Sequence, residues 1–152
     1  MIAVIQRVSN ASVLAEGRTT GQIGVGFLVL LGVSNFDTRD DVAWLAKKIV
    51  NMRVFADADG KMNLDLKNAG GGILLVSQFT LHANTKKGNR PSFMDAARPE
   101  VAIPLYEAMV VQLEFELGAR IQTGTFGADM KVSLTNDGPV TIILDSKNQT
   151  TE

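Results

Sequence analysis

The chain reads as an α/β protein: a mixed β-sheet or barrel-like core with two main helices packed outside it. Three observations predict this. Two runs, Phe27-Leu28-Val29-Leu30-Leu31 and Ile73-Leu74-Leu75-Val76, are apolar at every position and entered through glycines, as strands covered on both faces require. Two segments carry apolar residues at helical spacing. Strand candidates outnumber these helices without a steady βαβ alternation, which argues against a doubly wound nucleotide-binding sheet.

Taken in order, Met1 to Val8 alternates as a strand, with Ile2, Val4 and Val8 on one side and Ile5 and Arg7 on the other, and Ser12 to Glu16 is expected to be its partner. Gly24 and Gly26 lead into the first apolar strand. Thr38-Arg39-Asp40-Asp41 resembles a capping box, and Val42, Leu45, Ala46, Ile49 and Val50 follow at helical spacing, predicting a helix that ends near Arg53. Asp57-Ala58-Asp59-Gly60 lacks the distal glutamate of a calcium loop and is read as a turn. Gly70-Gly71-Gly72 opens the second apolar strand. Tyr106, Met109, Val110, Leu113 and Leu117 mark a second helix closed by Gly118, with Pro104 placed in its first turn. Val132 and Leu134 alternate with Lys131 and Ser133, and Val140 to Leu144 forms the last strand. Residues 1–145 are expected to form one domain, with 146–152 a polar, frayed tail.

Composition bounds the function. The chain has 152 residues, 45% of them apolar and 20% charged, enough for one packed domain. It has no cysteine and a single histidine, so disulfides, thiolate chemistry and multi-histidine metal sites are outside its inventory, and neither a metal nor another cofactor is expected. The opening residues show no charged leader, and no apolar run approaches about 20 residues, so a cytoplasmic protein without membrane contact is expected. A net charge of −1 argues against a general electrostatic grip on nucleic acid. A local grip has one candidate, the stretch that holds Lys86, Lys87, Arg90 and Arg98 beside Asn84, Asn89 and Phe93. A solvated loop explains the same charges.

Two polar clusters stand out. Ser77-Gln78-Phe79-Thr80-Leu81 follows a buried strand, which delivers Ser77, Gln78 and Thr80 to its end. Asn136-Asp137-Gly138-Pro139-Val140-Thr141 contains Asp-Gly, a strong hairpin signal, but also a Gly-Pro bond, the one kind of linkage where a cis peptide costs only about 0.5–1 kcal/mol. Ser77 is not in a G-x-S-x-G elbow, and His82 is the sole candidate base for Ser77 or Thr80. Backbone amides at the end of the 77–80 segment could stabilise an oxyanion without a titrating side chain.

Ile5-Gln6-Arg7-Val8, Ser77-Gln78-Phe79-Thr80-Leu81, Arg90-Pro91-Ser92-Phe93, Thr123-Gly124, Phe126-Gly127-Ala128-Asp129-Met130 and Asn136 to Thr141 together resemble the D-aminoacyl-tRNA deacylase family from Met1 to about Asp145. The resemblance implies a homodimer that hydrolyses the ester between a D-amino acid, or glycine, and the 3′-terminal adenosine of tRNA. It implies a cis Gly138-Pro139 bond reaching into the partner's pocket, where its carbonyls hold the amino group and leave no room for an L side chain. Catalysis is expected to lean on amides near Phe79 and Thr80, in the Ser77, Gln78, Phe79, Thr80 segment, and on the RNA 2′-hydroxyl. Phe79, Ala102 and Met130 match residues lining the adenine pocket, although without the resemblance ordinary core packing is the preferred reading of all three. Arg7 matches a residue bracing the Gly138-Pro139 loop. His82 departs from the family pattern. Two other classes remain open: a non-catalytic RNA 3′-end binding module, and a general esterase with Ser77 or Thr80 as nucleophile.

Overall fold

The computed structural model describes residues 1–149. Its strands are β1 (Ile2–Ala15), β2 (Arg18–Ile23), β3 (Gly26–Gly32), β4 (Phe55–Ala56), β5 (Met62–Leu64), β6 (Gly72–Ser77), β7 (Gln122–Thr123) and β8 (Met130–Asp145); the helices are α1 (Arg39–Asn51) and α2 (Pro99–Leu117). The main sheet runs β2-β1-β3-β6-β7, with β8 on the other edge of β1. β3, β6 and β7 are parallel, and the remaining pairs of this sheet are antiparallel. Its far strands curl towards each other. At Gly21 of β2 an added Cβ would lie 2.5 Å from the Thr123 carbonyl of β7, so the sheet almost closes into a barrel.

β3 and β6 are apolar throughout because both their faces are buried. Phe27, Val29, Leu31, Ile73 and Leu75 pack under α1 and α2, while Leu28, Leu74 and Val76 form a second cluster inside the curl with Val8, Ala11 and Val13. Asp41 caps α1 as expected, its carboxylate accepting the Thr38 amide at 2.7 Å. Asp57 accepts the Asp59 and Lys61 amides, closing the turn read at Asp57–Gly60.

Several local expectations are corrected. Ser12–Ala15 is not a partner of Met1–Val8 but the continuation of β1, which pairs first with β3 and then with β2 along one edge. The alternation expected for Met1–Val8 is found, Ala3 and Ile5 facing the helices and Ile2, Val4 and Val8 the other side, but an irregularity between Val8 and Asn10 resets the phase, so that Ala11 and Val13 join Val8 in the second cluster. A two-residue period carries no information about the irregularity that resets it. α2 begins at Pro99, so Pro104 lies one turn further in than expected. It is tolerated because Pro104 and Glu100, whose carbonyl loses its donor, are not both enclosed by the core: Glu100 is exposed to water.

The polar tail begins later than expected. Ser146 is buried, and Ser146–Asn148 forms a short 3-10 helix. The Ser146 hydroxyl donates to Asp41 at 2.6 Å, and the Lys147 ammonium bridges Asp41 at 2.9 Å and Asp37 at 3.4 Å. Two nearly buried carboxylates require such partners, and nothing in the local pattern of residues 146–149 signals that they supply them. The rest of the expected tail, residues 150–152, lies outside the described residues.

Candidate active site

β6 ends at Ser77, and the chain turns at once into a 3-10 helix, Phe79–His82. The strand end lies beside a cavity of about 580 Å³ whose lining includes Ser77, Gln78, Phe79, Phe93, Ala102, Tyr106, Phe126, Asp129 and Met130. Five of the sequence candidates therefore share one space: Ser77, Gln78, Phe79, Ala102 and Met130. Phe79 is 57% exposed and stands edge-on to Phe93, with ring centroids 5.3 Å apart. These rings form an apolar rim on which a flat base could stack.

The turn leaves backbone donors free. The Gln78 amide donates to the Leu31 carbonyl at 2.7 Å and the Leu81 amide to the Gln78 carbonyl at 3.2 Å; the Phe79 and Thr80 amides between them meet no acceptor among the described residues. The first amides of a helical turn have no partner within it. Thr80 is exposed, and its hydroxyl accepts a 2.5 Å hydrogen bond from the Gln78 carboxamide.

Titratable groups are sparse. Tyr106 donates its hydroxyl to the Leu75 carbonyl at 3.1 Å, and burial pushes its pKa up to about 12. Asp129 is exposed and paired with Lys131 at 3.1 Å. His82 hydrogen-bonds to neither Ser77 nor Thr80 among the described residues; its Nε2 is buried without a partner. The segment is helical rather than extended, so residues two apart such as Thr80 and His82 do not share a side as they would on a strand.

The remaining candidates lie elsewhere on the chain. Gly138-Pro139 is a cis peptide within β8. The Asp-Gly pair does not form a hairpin: β8 continues through it along β1, Asn136 facing Val8 and Thr141 facing Gln6. Residues 137–140 are thereby extruded as an enlarged bulge. Gly138 has φ 133°, and an added Cβ would lie 3.0 Å from the Arg7 guanidinium. Arg7 sits beneath the bulge, its Nε donating to the Asp137 carbonyl at 2.9 Å and its Nη1 to the Val54 carbonyl at 2.5 Å. Gly138, Pro139, Thr80 and Arg7 are not among the residues lining the cavity.

Sequence reasoning missed Tyr106 as a wall of the cavity, having read it only as a helix-core position. Its signal was a hydroxyl on a buried helical face, which needs a polar partner.

Comparisons with known proteins agree with this geometry. The profile of the family described as D-Tyr-tRNA(Tyr) deacylase matches residues 4–145. A D-aminoacyl-tRNA deacylase of Parabacteroides distasonis is 56% identical over 149 residues, covering 98% of this chain and 99% of its own length. One from Flavobacterium psychrophilum is 57% identical with the same coverage. Among solved structures, a c-Myc DNA unwinding element binding protein superposes with a TM-score of 0.89 at 42% identity, over 95% of this chain and 98% of its own. A probable eukaryotic D-amino acid tRNA deacylase superposes with a TM-score of 0.81 at 17% identity, over 94% of this chain and 97% of its own, and so shares the fold. With the profile spanning almost the whole barrel and the relatives aligned end to end, the chain belongs to the D-Tyr-tRNA(Tyr) deacylase family.

Proposed function

We propose that this protein hydrolyses the ester joining a D-amino acid to the 3′-terminal adenosine of tRNA, releasing free amino acid and tRNA. The observation that carries the reading, beside family membership, is a largely apolar cavity bordered by the Ser77–Phe79 turn, after which two backbone amides are free. Tyr106, held neutral against the Leu75 carbonyl, is not free to serve as a base, and Asp129 stands exposed to water beside Lys131. The free Phe79 and Thr80 amides suit the oxyanion that develops when water adds to the ester carbonyl. The new bond joins water oxygen to the carbonyl carbon, the C–O3′ bond breaks, and the displaced 3′-oxygen takes up a proton. The neighbouring 2′-hydroxyl of the RNA orients the attacking water. Ser77 and Gln78 shape the strand end, Phe79 and Met130 flank the adenine, and Ala102 keeps its wall small.

The active species is a homodimer. On the sheet face turned away from the helices, Ile143, Val4 and Leu30 form a row across β8, β1 and β3, and Ile143 is 68% exposed. The Gly138-Pro139 bulge leaves β8 a few residues along the strand from Ile143, held by Arg7. A second copy packed there receives the bulge at its cavity, where the carbonyls hold the substrate's amino group and the backbone fills the space an L side chain needs. Selection is by exclusion of the wrong enantiomer, and glycine, lacking a side chain, is accepted. No helix among the described residues is long and apolar enough to cross a membrane; the protein works in the cytoplasm, where aminoacyl-tRNA is made.

Deacylation of D-tyrosyl-tRNA and L-tyrosyl-tRNA by the purified protein, with its mass measured by light scattering, tests the reading. The D ester is cleaved, the L ester is spared, and the mass is twice that of the chain. No turnover of the D ester overturns the deacylase reading; a monomer with full selectivity overturns the cross-subunit account.

A further inference from the structure

The Phe79–Phe93 rim belongs to a lobe whose chemistry the cavity does not use. Residues 83–94 contain Lys86, Lys87 and Arg90 and no carboxylate, and Arg98 follows. All four cations are exposed, and none makes an ion pair among the described residues. The lobe is built rather than slack. Asn84 and Ser92 exchange both backbone hydrogen bonds, at 2.7 and 2.9 Å, the Asn84 side chain accepts the Lys86 amide at 3.0 Å, and Gly88 turns the tip with φ 70°. The returning chain is tied to the segment after β3: Asn35 holds the Met94 and Asp95 carbonyls, and the Ala97 amide donates to Val33 at 2.9 Å. Phe93, Ala96, Ala97 and Pro99 of this return then line the cavity.

Resting on the deacylase reading, we infer that this lobe is a phosphate-binding arm. Lys86, Lys87 and Arg90 grip the RNA backbone of the strand leading to the aminoacylated 3′ end and so set the register in which the terminal nucleotide enters the cavity. A chain of net charge −1 has no general field to hold a polyanion, so its grip must be a local, unpaired cluster beside the site. The lobe supplies one, and the paired backbones of Asn84 and Ser92 at its root keep it at a fixed place relative to the rim.

The test compares two substrates, D-tyrosyl-tRNA and 3′-O-D-tyrosyl-adenosine, which lacks the upstream phosphates. In the triple variant Lys86→Ala, Lys87→Ala, Arg90→Ala, KM for the tRNA rises on the order of tenfold near 0.1 M salt with kcat unchanged. The log–log salt slope of kcat/KM falls by about 2, at about 0.7 for each single-strand phosphate that is no longer neutralised. The adenosine ester is hydrolysed as by the unsubstituted protein, and Lys86→Arg, Lys87→Arg, Arg90→Lys restores the slope. An unchanged KM and slope overturn the arm, and so does an equal loss on both substrates, which would make the lobe part of the pocket wall. If the unsubstituted protein cleaves neither ester, the deacylase reading fails by itself. Filter binding of uncharged tRNA over the same salt range then decides the arm, an equal slope in both proteins overturning it.

Discussion

Arg7 links the Gly138-Pro139 bulge to the rest of the sheet, and replacing it with alanine separates a structural brace from a functional one. Its guanidinium donates to the exposed Asp137 carbonyl and to the half-buried Val54 carbonyl, with the Asp137 carboxylate 3.9 Å away. The exposed bond and the long ion pair exchange readily with water and contribute little. The Val54 bond, made by a side chain that is 14% exposed, carries most of the effect, about 2 kcal/mol for a hydrogen bond to a charged donor. At about 2–4 °C per kcal/mol for a chain of 150–250 residues, the melting temperature falls by roughly 4–8 °C. Well below that temperature the folded variant loses kcat/KM for D-tyrosyl-tRNA by about ten- to a hundredfold, because a bulge displaced by an ångström no longer holds the amino group. Arg7→Lys falls between the two, since an ammonium cannot span both carbonyls as a fork does. Calorimetry beside single-turnover deacylation of the D and L esters measures both effects. A lowered melting point with unchanged activity and selectivity per folded molecule would refute the link between Arg7 and substrate.

Three further outcomes are expected. Thr80→Ala keeps activity within about tenfold, since its hydroxyl only accepts from Gln78, whereas tRNA ending in 2′-deoxyadenosine is cleaved far more slowly; a loss of several powers of ten in the protein variant would make Thr80 a nucleophile. Gly138→Ala loses about 1–3 kcal/mol of stability, because φ 133° and a Cβ only 2.9 Å from Val140 leave alanine strained, and its D-ester activity falls by more than the folded fraction does; an activity loss matched by the melting curve would leave Gly138 a turn residue only. Burial opposes ionisation of Asp41, but the Ser146 hydroxyl, the Lys147 ammonium and the Thr38 amide outweigh it and hold the carboxyl well below the usual range. A depressed folded-state pKa contributes stability above the unfolded value of about 4 that is lost as pH falls below it. Urea melts between pH 6 and pH 2.5 therefore lose more stability in the unsubstituted protein than in Asp41→Asn, and parallel losses would contradict this.

The apolar runs at Phe27–Leu31 and Ile73–Val76 are legible because burial on both faces leaves no position for a polar residue, and the two helices declare themselves by period and by Gly118, which closes α2 with φ 73°. The motif at Ser77–Leu81 likewise marks the strand end that borders the cavity. Other features depend on partners remote in the chain. β1 runs unbroken through Ser9 and Asn10 because β8 pairs with it almost end to end, and Asp137-Gly138 fails to make its hairpin because that same ladder continues across it. Ser146 and Lys147 are ordered by Asp37 and Asp41, over a hundred residues away. Local pattern reports which faces are buried and where a turn is possible; it carries no record of the carboxylate, ladder or guanidinium that tertiary folding brings alongside. The chain's residues alone thus determined the layers, the two helices and the family motifs, while the free amides at Phe79 and Thr80, the Arg7 brace and the fixed cationic lobe were decided only when the sheet closed around them.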